Sequence, residues 1–403
     1  MSLLPFDDAL ARLLAAAQPL PDIENLPLLE ADRRILAKPL PAPIDVPGFD
    51  NSAMDGYALH IADFNQLPQR FGVTQRIAAG GSGQPLAANT AARIFTGAPL
   101  PAGANAVVPQ EDTVVDEGGV GLTGTVVAGQ HIRRRGEDIA AGSIILDAGY
   151  RLDPQSLALA ASVGHACLQV RAHLKVGVLF TGDELTAPGT PLAPGAIYDS
   201  NRYAIVSLLR RLGCLVKDYG NVPDRRDATI AALRQAAEEN HVVISAGGVS
   251  VGEEDHVKAA VNTLGSLELW RIAMKPGKPL AFGRVLDADF IGLPGNPVSA
   301  FVTFCLLARP FLLRRMGMQA AAVDALMVPA GFTRSKADSR REFLRARLEY
   351  DQQGRAHAMV HASQGSAAMT GLVWADGLVD IPAGHTVAAG DLVRFIPLNQ
   401  LTA

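Results

Sequence analysis

The chain has few cysteines, few aromatic residues, little excess charge of either sign and no long apolar run, and each shortage excludes a class of protein. Three cysteines among 403 residues, Cys167, Cys214 and Cys305, are widely spaced in apolar segments with no CxxC pair. A disulfide framework and a thiolate zinc site are excluded, and the three read as buried thiols of a reducing cytoplasm. The nine histidines show neither HxH nor HExxH spacing, which argues against a histidine-ligated metal. Against 36 basic residues stand 40 acidic ones, a net charge of −4, and no basic run exceeds Arg133, Arg134, Arg135. So weak a field does not hold a polyanion, and nucleic acid is not expected as a partner. The N-terminus carries Asp7 and Asp8 where a signal peptide would be basic, and the apolar stretch 301–308 is about half a membrane span. Neither a signal peptide nor a membrane partner is expected, and the expected location is cytoplasmic.

What is present suffices for several cores. With 48% apolar residues and 403 positions, at roughly 150 residues per domain, the chain predicts two to four domains. Pro5 and Asp7 open a helical pattern carrying Leu10, Leu13 and Leu14, and a second helical run is expected over 29–37. From 39 to 147 the texture turns to short apolar runs broken by Gly and Pro, a β insertion, before helix signals return at Asp153 and Pro154. Residues 174–316 alternate strands (174–180, 215–222, 241–246, 267–274, 290–293) with helices (201–212, 227–240, 255–264, 297–316), the pattern of a doubly wound α/β sheet. The remainder reads as a small C-terminal β domain or barrel. The expected division is 1–44 with 141–172 (mainly helical), 45–140 (β insertion), 173–324 (α/β) and 325–403 (β).

In an open α/β sheet, ligands bind beyond the carboxyl ends of the strands, and each predicted strand here ends in polar residues. Thr181, Gly182, Asp183 and Glu184 follow the first strand, and Asp224 the second. Gly247, Gly248, Val249, Ser250, Val251, Gly252 and then Asp255 follow the third, Lys275 to Lys278 the fourth, Pro294 to Ser299 the fifth. The Gly247 to Gly252 loop lets backbone N–H groups surround a phosphate, though an ordinary turn has the same composition; no Lys-Ser/Thr pair makes it a Walker loop. Asn296 and Pro297 pre-shape a helix start that favours anions or merely caps a helix. Two ammonium groups across one Pro-Gly turn, Lys275 and Lys278, suggest an anion between them. Carboxylates beside phosphate loops repel the ligand unless a cation intervenes, so Glu184, Asp224 and Asp255 are candidate Mg²⁺ ligands, while Asp224 and Asp255 are also candidate helix caps. The insertion adds a polar stretch at 49–57 and two more at 96–98 and 134–138.

Eight motifs in order, PGFDNSAMDGYA (47–58), FTGAPLPAGANAVVPQEDT (95–113), GEDI (136–139), TGDEL (181–185), YDSN (198–201), SAGGVSVGEEDH (245–256), KPGKP (275–279) and GLPGNPVSA (292–300), resemble the molybdopterin molybdenumtransferase family, which includes the E domain of gephyrin. The resemblance spans nearly the whole chain. It implies a molybdenum insertase that hydrolyses adenylylated molybdopterin with Mg²⁺ or a similar cation. Molybdenum from molybdate enters the dithiolene and AMP is released, the last step of molybdenum cofactor synthesis. It also implies a homodimer whose active site lies between the α/β domain of one subunit and the β insertion of the other, with the molybdopterin adenylyltransferase as a possible partner.

On the matching positions the resemblance implies catalytic roles for Asp55, Asp138, Glu184, Asp224, Asp255, Lys275 and Lys278. It implies substrate binding by Thr96, Thr181, Gly247, Gly248, Ser250, Gly252, Pro294, Gly295, Asn296, Ser299, Arg345 and Ser366, the last two as molybdate ligands. Two positions depart from the pattern: Arg271 stands where the family has Lys, and Phe180 where a small hydroxyl residue is commoner, which leaves one ligand hydrogen bond in question. Two other readings remain open. A scaffold like gephyrin's E domain lacks support from any long linker or partner domain here. An adenylyltransferase shares the α/β motifs but not the β insertion or the C-terminal domain.

Overall fold

The computed structural model describes residues 3–61, 70–248, 256–319 and 323–402. The alternation from 174 onward is a six-stranded sheet in the spatial order Leu215–Val222, Lys175–Thr181, Val242–Ala246, Ala288–Leu293, Pro279–Val285, Gly265–Arg271. The first four strands are mutually parallel and the last two join antiparallel. Pro279–Val285 escapes the sequence reading because Pro279, Gly283 and Arg284 interrupt its apolar run. Two reversals return Gly265–Arg271 to the direction of the parallel strands. Its C-terminal end and the start of Pro279–Val285 therefore share the sheet edge at which the parallel strands finish.

Successive strand residues point to opposite faces, so the sheet feeds two cores. Val176, Val178 and Phe180 enter one with the helices Asn201–Leu212 and Pro297–Arg315; Leu179, Val243 and Phe290 enter the other with Arg226–Glu239 and His256–Leu264. Each such fully buried side chain contributes about 1.5–3 kcal/mol. Pro297–Arg315, with a π-helical turn at Phe304–Ala308, is long and apolar enough to cross a membrane, and here it lies mostly buried in the chain's own core.

The helix Phe6–Ala16 forms as read and buries Phe6, Ala9 and Leu13 in the first core, together with Phe311 and Phe343. Arg341 lies 4.9 Å from the Phe6 ring and 5.4 Å from the Phe343 ring, and it pairs with Asp7 and Asp380. The chain's first helix is thus tied to the C-terminal sheet. The run 29–37 corrects the reading: only a 3₁₀ turn, Leu28–Ala31, forms there. Arg33 adopts φ 61°, which breaks the helical repeat, and Ile35 and Leu36 bridge instead to Arg151 and Val170. Pro154–Ser162 starts as expected, with the Asp153 carboxylate accepting from the Ser156 N–H in a reciprocal capping box.

The insertion holds a four-stranded sheet, Gly72–Ile77, Thr90–Ile94, Gly56–Leu59, Ala106–Pro109, and the hairpin Thr113–Asp116 with Gly119–Leu122. The C-terminal part is a mixed sheet and not a closed barrel; among the described residues, the bridge Ala330–Ala358 links the end of Leu326–Pro329 to Ala356–Val360. One of its strands, Met274–Lys275, belongs to the α/β part and pairs in parallel with Arg341 and Glu342. Cys214 and Cys305 are buried, and burial pushes each thiol up to about 12. Cys167 is exposed, contrary to the reading, because it takes an outward position on the alternating strand Cys167–Arg171.

Candidate active site

A cleft of about 980 Å³ opens at the sheet edge where the parallel strands end, roofed by the C-terminal loop 364–367. Its floor is the turn after Val242–Ala246. Gly247 and Gly248 adopt φ +94° and +65°. A Cβ on Gly247 would stand 2.5 Å from the Thr181 carbonyl oxygen, and one on Gly248 2.5 Å from Val257 Cγ2. Only glycine fits either place, so bare backbone faces the cleft. Ser250, Gly252 and Asp255 lie outside the described residues. Thr181 lines the cleft with a buried Oγ1 that has no hydrogen-bond partner among the described residues, while Phe180 points into the core beneath it.

Pro294, Gly295, Asn296 and Ser299 form the adjoining wall. Asn296 occupies the N-cap position of Pro297–Thr303, but its side chain makes no capping bond, a correction to the capping role read for it. Asn201 Nδ2 donates to the Gly295 carbonyl at 2.7 Å and so joins this turn to the start of the helix Asn201–Leu212.

Glu184 and Asp224 make the acidic wall. Among the described residues neither carboxylate accepts a hydrogen bond or pairs with a cation. The N-cap position of Arg226–Glu239 is Arg225, so Asp224 is no helix cap, and its N–H donates to Asp183 Oδ1 at 3.1 Å. Two unneutralised hard oxygen donors in one cleft fit a divalent cation. No group of three potential ligands is assembled among the described residues, Asp255 being outside them. Asp199, which the sequence reading did not single out, also lines the cleft; it is 3% exposed, Oδ1 accepts from the Arg202 N–H at 3.1 Å, and Oδ2 is buried without a partner. Burial pushes its carboxyl above the usual aspartate value.

Lys275, Lys278 and Arg340 make the basic wall. Lys275 Nζ donates to Glu342 Oε1 at 3.0 Å and Asp338 Oδ2 at 3.4 Å, so its charge is already met by carboxylates and needs no anion shared with Lys278. The turn between the lysines requires Gly277: φ is +102°, and a Cβ would stand 2.2 Å from Thr303 Oγ1. Arg340 was missed. Asp338 grips its guanidinium twice, at 3.1 and 3.0 Å, and Arg340 in turn holds the Asp338 carboxyl well below the usual range. The signal in the sequence is the charge-dense stretch from Arg334 to Glu342 between two strands.

Arg345 stands apart from the residues that line the cleft. It is 0% exposed and does not line the cleft. Its Nη2 donates to the carbonyls of Ser363 (2.8 Å) and Gly365 (3.2 Å), while Nε and Nη1 are buried without partners. Its backbone exchanges two hydrogen bonds with the Gln364 side chain, 3.0 Å each. Arg345 therefore props the loop that carries Ser366, which does line the cleft and whose carbonyl accepts from Val298 N–H at 2.9 Å. Arg271 is likewise off the cleft wall. So are Asp55, Thr96 and Asp138, all exposed on the insertion. There Asp55 Oδ1 accepts from Thr96 N–H (2.8 Å) and Oγ1 (2.9 Å), bonds that hold its carboxyl below the ordinary value.

Comparison with known proteins covers the same ground. Residues 4–164 match the MoeA N-terminal region (domain I and II), 177–314 a probable molybdopterin binding domain, and 328–398 the MoeA C-terminal region (domain IV). The molybdopterin molybdenumtransferase of Haemophilus influenzae is 38% identical over 99% of this chain and 100% of its own length. That of Synechococcus elongatus is 38% identical over 97% of this chain and 99% of its own. The crystal structure of a molybdopterin biosynthesis MoeA protein from Pyrococcus horikosii aligns with a TM-score of 0.79 at 31% identity, covering 98% of this chain and 99% of that one.

Proposed function

The chain belongs to the MoeA family of molybdopterin molybdenumtransferases, and from that premise we propose that it catalyses the last step of molybdenum cofactor synthesis. Adenylylated molybdopterin is hydrolysed, AMP leaves, and molybdenum from molybdate enters the dithiolene. The observation that carries this reading is one cleft in which a glycine turn, an unpaired acidic wall and a clamped basic wall face the same space.

Glu184 and Asp224, with Asp255 beyond them in sequence, would hold Mg²⁺, which supplies positive charge against the pyrophosphate. The N–H groups of the Gly247–Gly248 turn would cradle a phosphate. Lys278 would neutralise charge developing as the P–O bond breaks, with Lys275 held beside it by Glu342 and Asp338. Ser366 is suited to a tetrahedral oxyanion such as molybdate through its hydroxyl, and Arg340, whose Nε and Nη2 are held by Asp338, through its remaining Nη1, the role first read for Arg345. A homodimer would bring Asp55, Thr96 and Asp138 of a second copy to this cleft, which supports reading the active site as shared, since none of the three lines the cleft of its own chain. The molybdopterin adenylyltransferase is the natural donor of the substrate.

The test is to incubate the protein with adenylylated molybdopterin, molybdate and Mg²⁺ and to follow AMP release together with activation of an apo-molybdoenzyme. Both are expected, and the activation depends on molybdate. Binding of the adenylate without cleavage would make the chain a binder and end this reading.

A further inference from the structure

Tyr198 is the one aromatic side chain among the described residues that line the cleft. The residue is 46% exposed, beside Ile197 at 54%. The hydroxyl donates to the Thr190 carbonyl at 3.1 Å, which fixes the far end of the ring. The near end is fixed by the strand Ile197–Tyr198, which pairs in parallel with Leu185–Thr186. The Ile197 N–H donates to the Glu184 carbonyl at 2.8 Å and the Asp199 N–H to Thr186 at 3.1 Å, so the ring stands on the segment bonded to the acidic wall. Among the described residues, none of the ring contacts or cation–π contacts involves Tyr198. A ring held at both ends, half exposed and without an aromatic or cationic neighbour among the described residues, is prepared for a flat partner.

We propose that Tyr198 is a stacking platform for a flat fused heterocycle of the purine or pterin type. The inference rests on the proposed function, whose substrate carries one such ring at each end of a pyrophosphate. A base stacked on an aromatic side chain gains between about fivefold and a hundredfold in binding.

Isothermal titration of the full chain with AMP, ribose 5-phosphate and 6-hydroxymethylpterin tests it. AMP and ribose 5-phosphate share a phosphate and differ in the ring. The expected result is AMP bound roughly tenfold more tightly than ribose 5-phosphate, a difference abolished by Tyr198→Ala and kept within about twofold by Tyr198→Phe. Tyr198→Leu keeps apolar bulk without a π face and is expected to behave like Tyr198→Ala; it also replaces that variant should it fail to fold. Loss confined to the pterin probe assigns the platform to the pterin end and supports the proposal. Unchanged affinity of folded Tyr198→Ala and Tyr198→Leu for both rings overturns it, as does a wild type with no preference for AMP over ribose 5-phosphate and no affinity for the pterin. The readout is equilibrium binding, so a chain inert toward adenylylated molybdopterin would defeat the proposed function while the ring preference is read independently.

Discussion

The two charged walls of the cleft manage charge in opposite ways. On the basic side every described partner is supplied by the C-terminal part, from a strand and the loop before it: Glu342 takes Lys275 and both prongs of Arg334, and Asp338 takes Arg340 and Lys275. Lys275, Arg340 and the neighbouring Arg334 meet these two carboxylates, a lattice with positive excess, while Lys278 makes no side-chain bond among the described residues. On the acidic side Glu184 and Asp224 have no such partners among the described residues. One wall has its geometry set in advance by the fold, and the other leaves its charge for something that binds.

Breaking the basic wall should cost the most. Glu342 is 1% exposed and bridges Lys275 at 3.0 Å to Arg334 at 2.9 Å. Glu342→Ala leaves two partly exposed cations without their buried carboxylate, Lys275 keeping Asp338, and a loss of about 1.5–3 kcal/mol in unfolding free energy is expected. Urea denaturation of the variant against wild type measures it. An unmoved midpoint would mean that the wall does not depend on this ion pair.

The acidic wall should respond in the converse manner. Asp224 is half-buried in a loop and, among the described residues, bonds only through its backbone N–H, so Asp224→Ala should change stability by no more than about 0.5 kcal/mol. The same substitution removes a proposed cation ligand, and AMP release should fall at least ~100-fold, about 2.7 kcal/mol of barrier. Turnover at the wild-type rate would remove Asp224 from the mechanism. A large drop in stability would instead erase the contrast between the walls.

How much of this was legible in the sequence follows from the range of the interactions. Strand periodicity and the helix start at Asp153–Pro154 are local, and both appear in the structure. The glycine turn at Gly247–Gly248 is local too, because positive φ demands the residue type at that place. Arg345 and Arg340 were not separable, since both lie in one charge-rich stretch: Arg345 falls within the run Glu342 to Ala346 that is buried on both faces of its strand, and Arg340 just before the strand begins. The lysine pair misled for a related reason: the carboxylates that satisfy Lys275 lie 63 and 67 residues away in sequence. Run 29–37 failed because one left-handed residue, Arg33, overrides an otherwise good helical pattern.

The smallest effect sharpens the comparison from within the acidic wall, at its buried member. Burial raises the Asp199 carboxyl, so the folded chain binds that proton more tightly than the unfolded chain does. The stability supplied by the proton is fully present below the unfolded aspartate value of about 3.9 and is lost as pH rises through the higher folded value. At pH 7 the wild type therefore carries a desolvated charge that Asp199→Asn does not. Thermal melts of both proteins from pH 7 down to pH 3 should show the variant more stable at neutral pH, with the gap closing as the wild-type carboxyl takes up its proton. A gap independent of pH would show that Asp199 is solvated like Glu184 and Asp224, and would put all three carboxylates in one class.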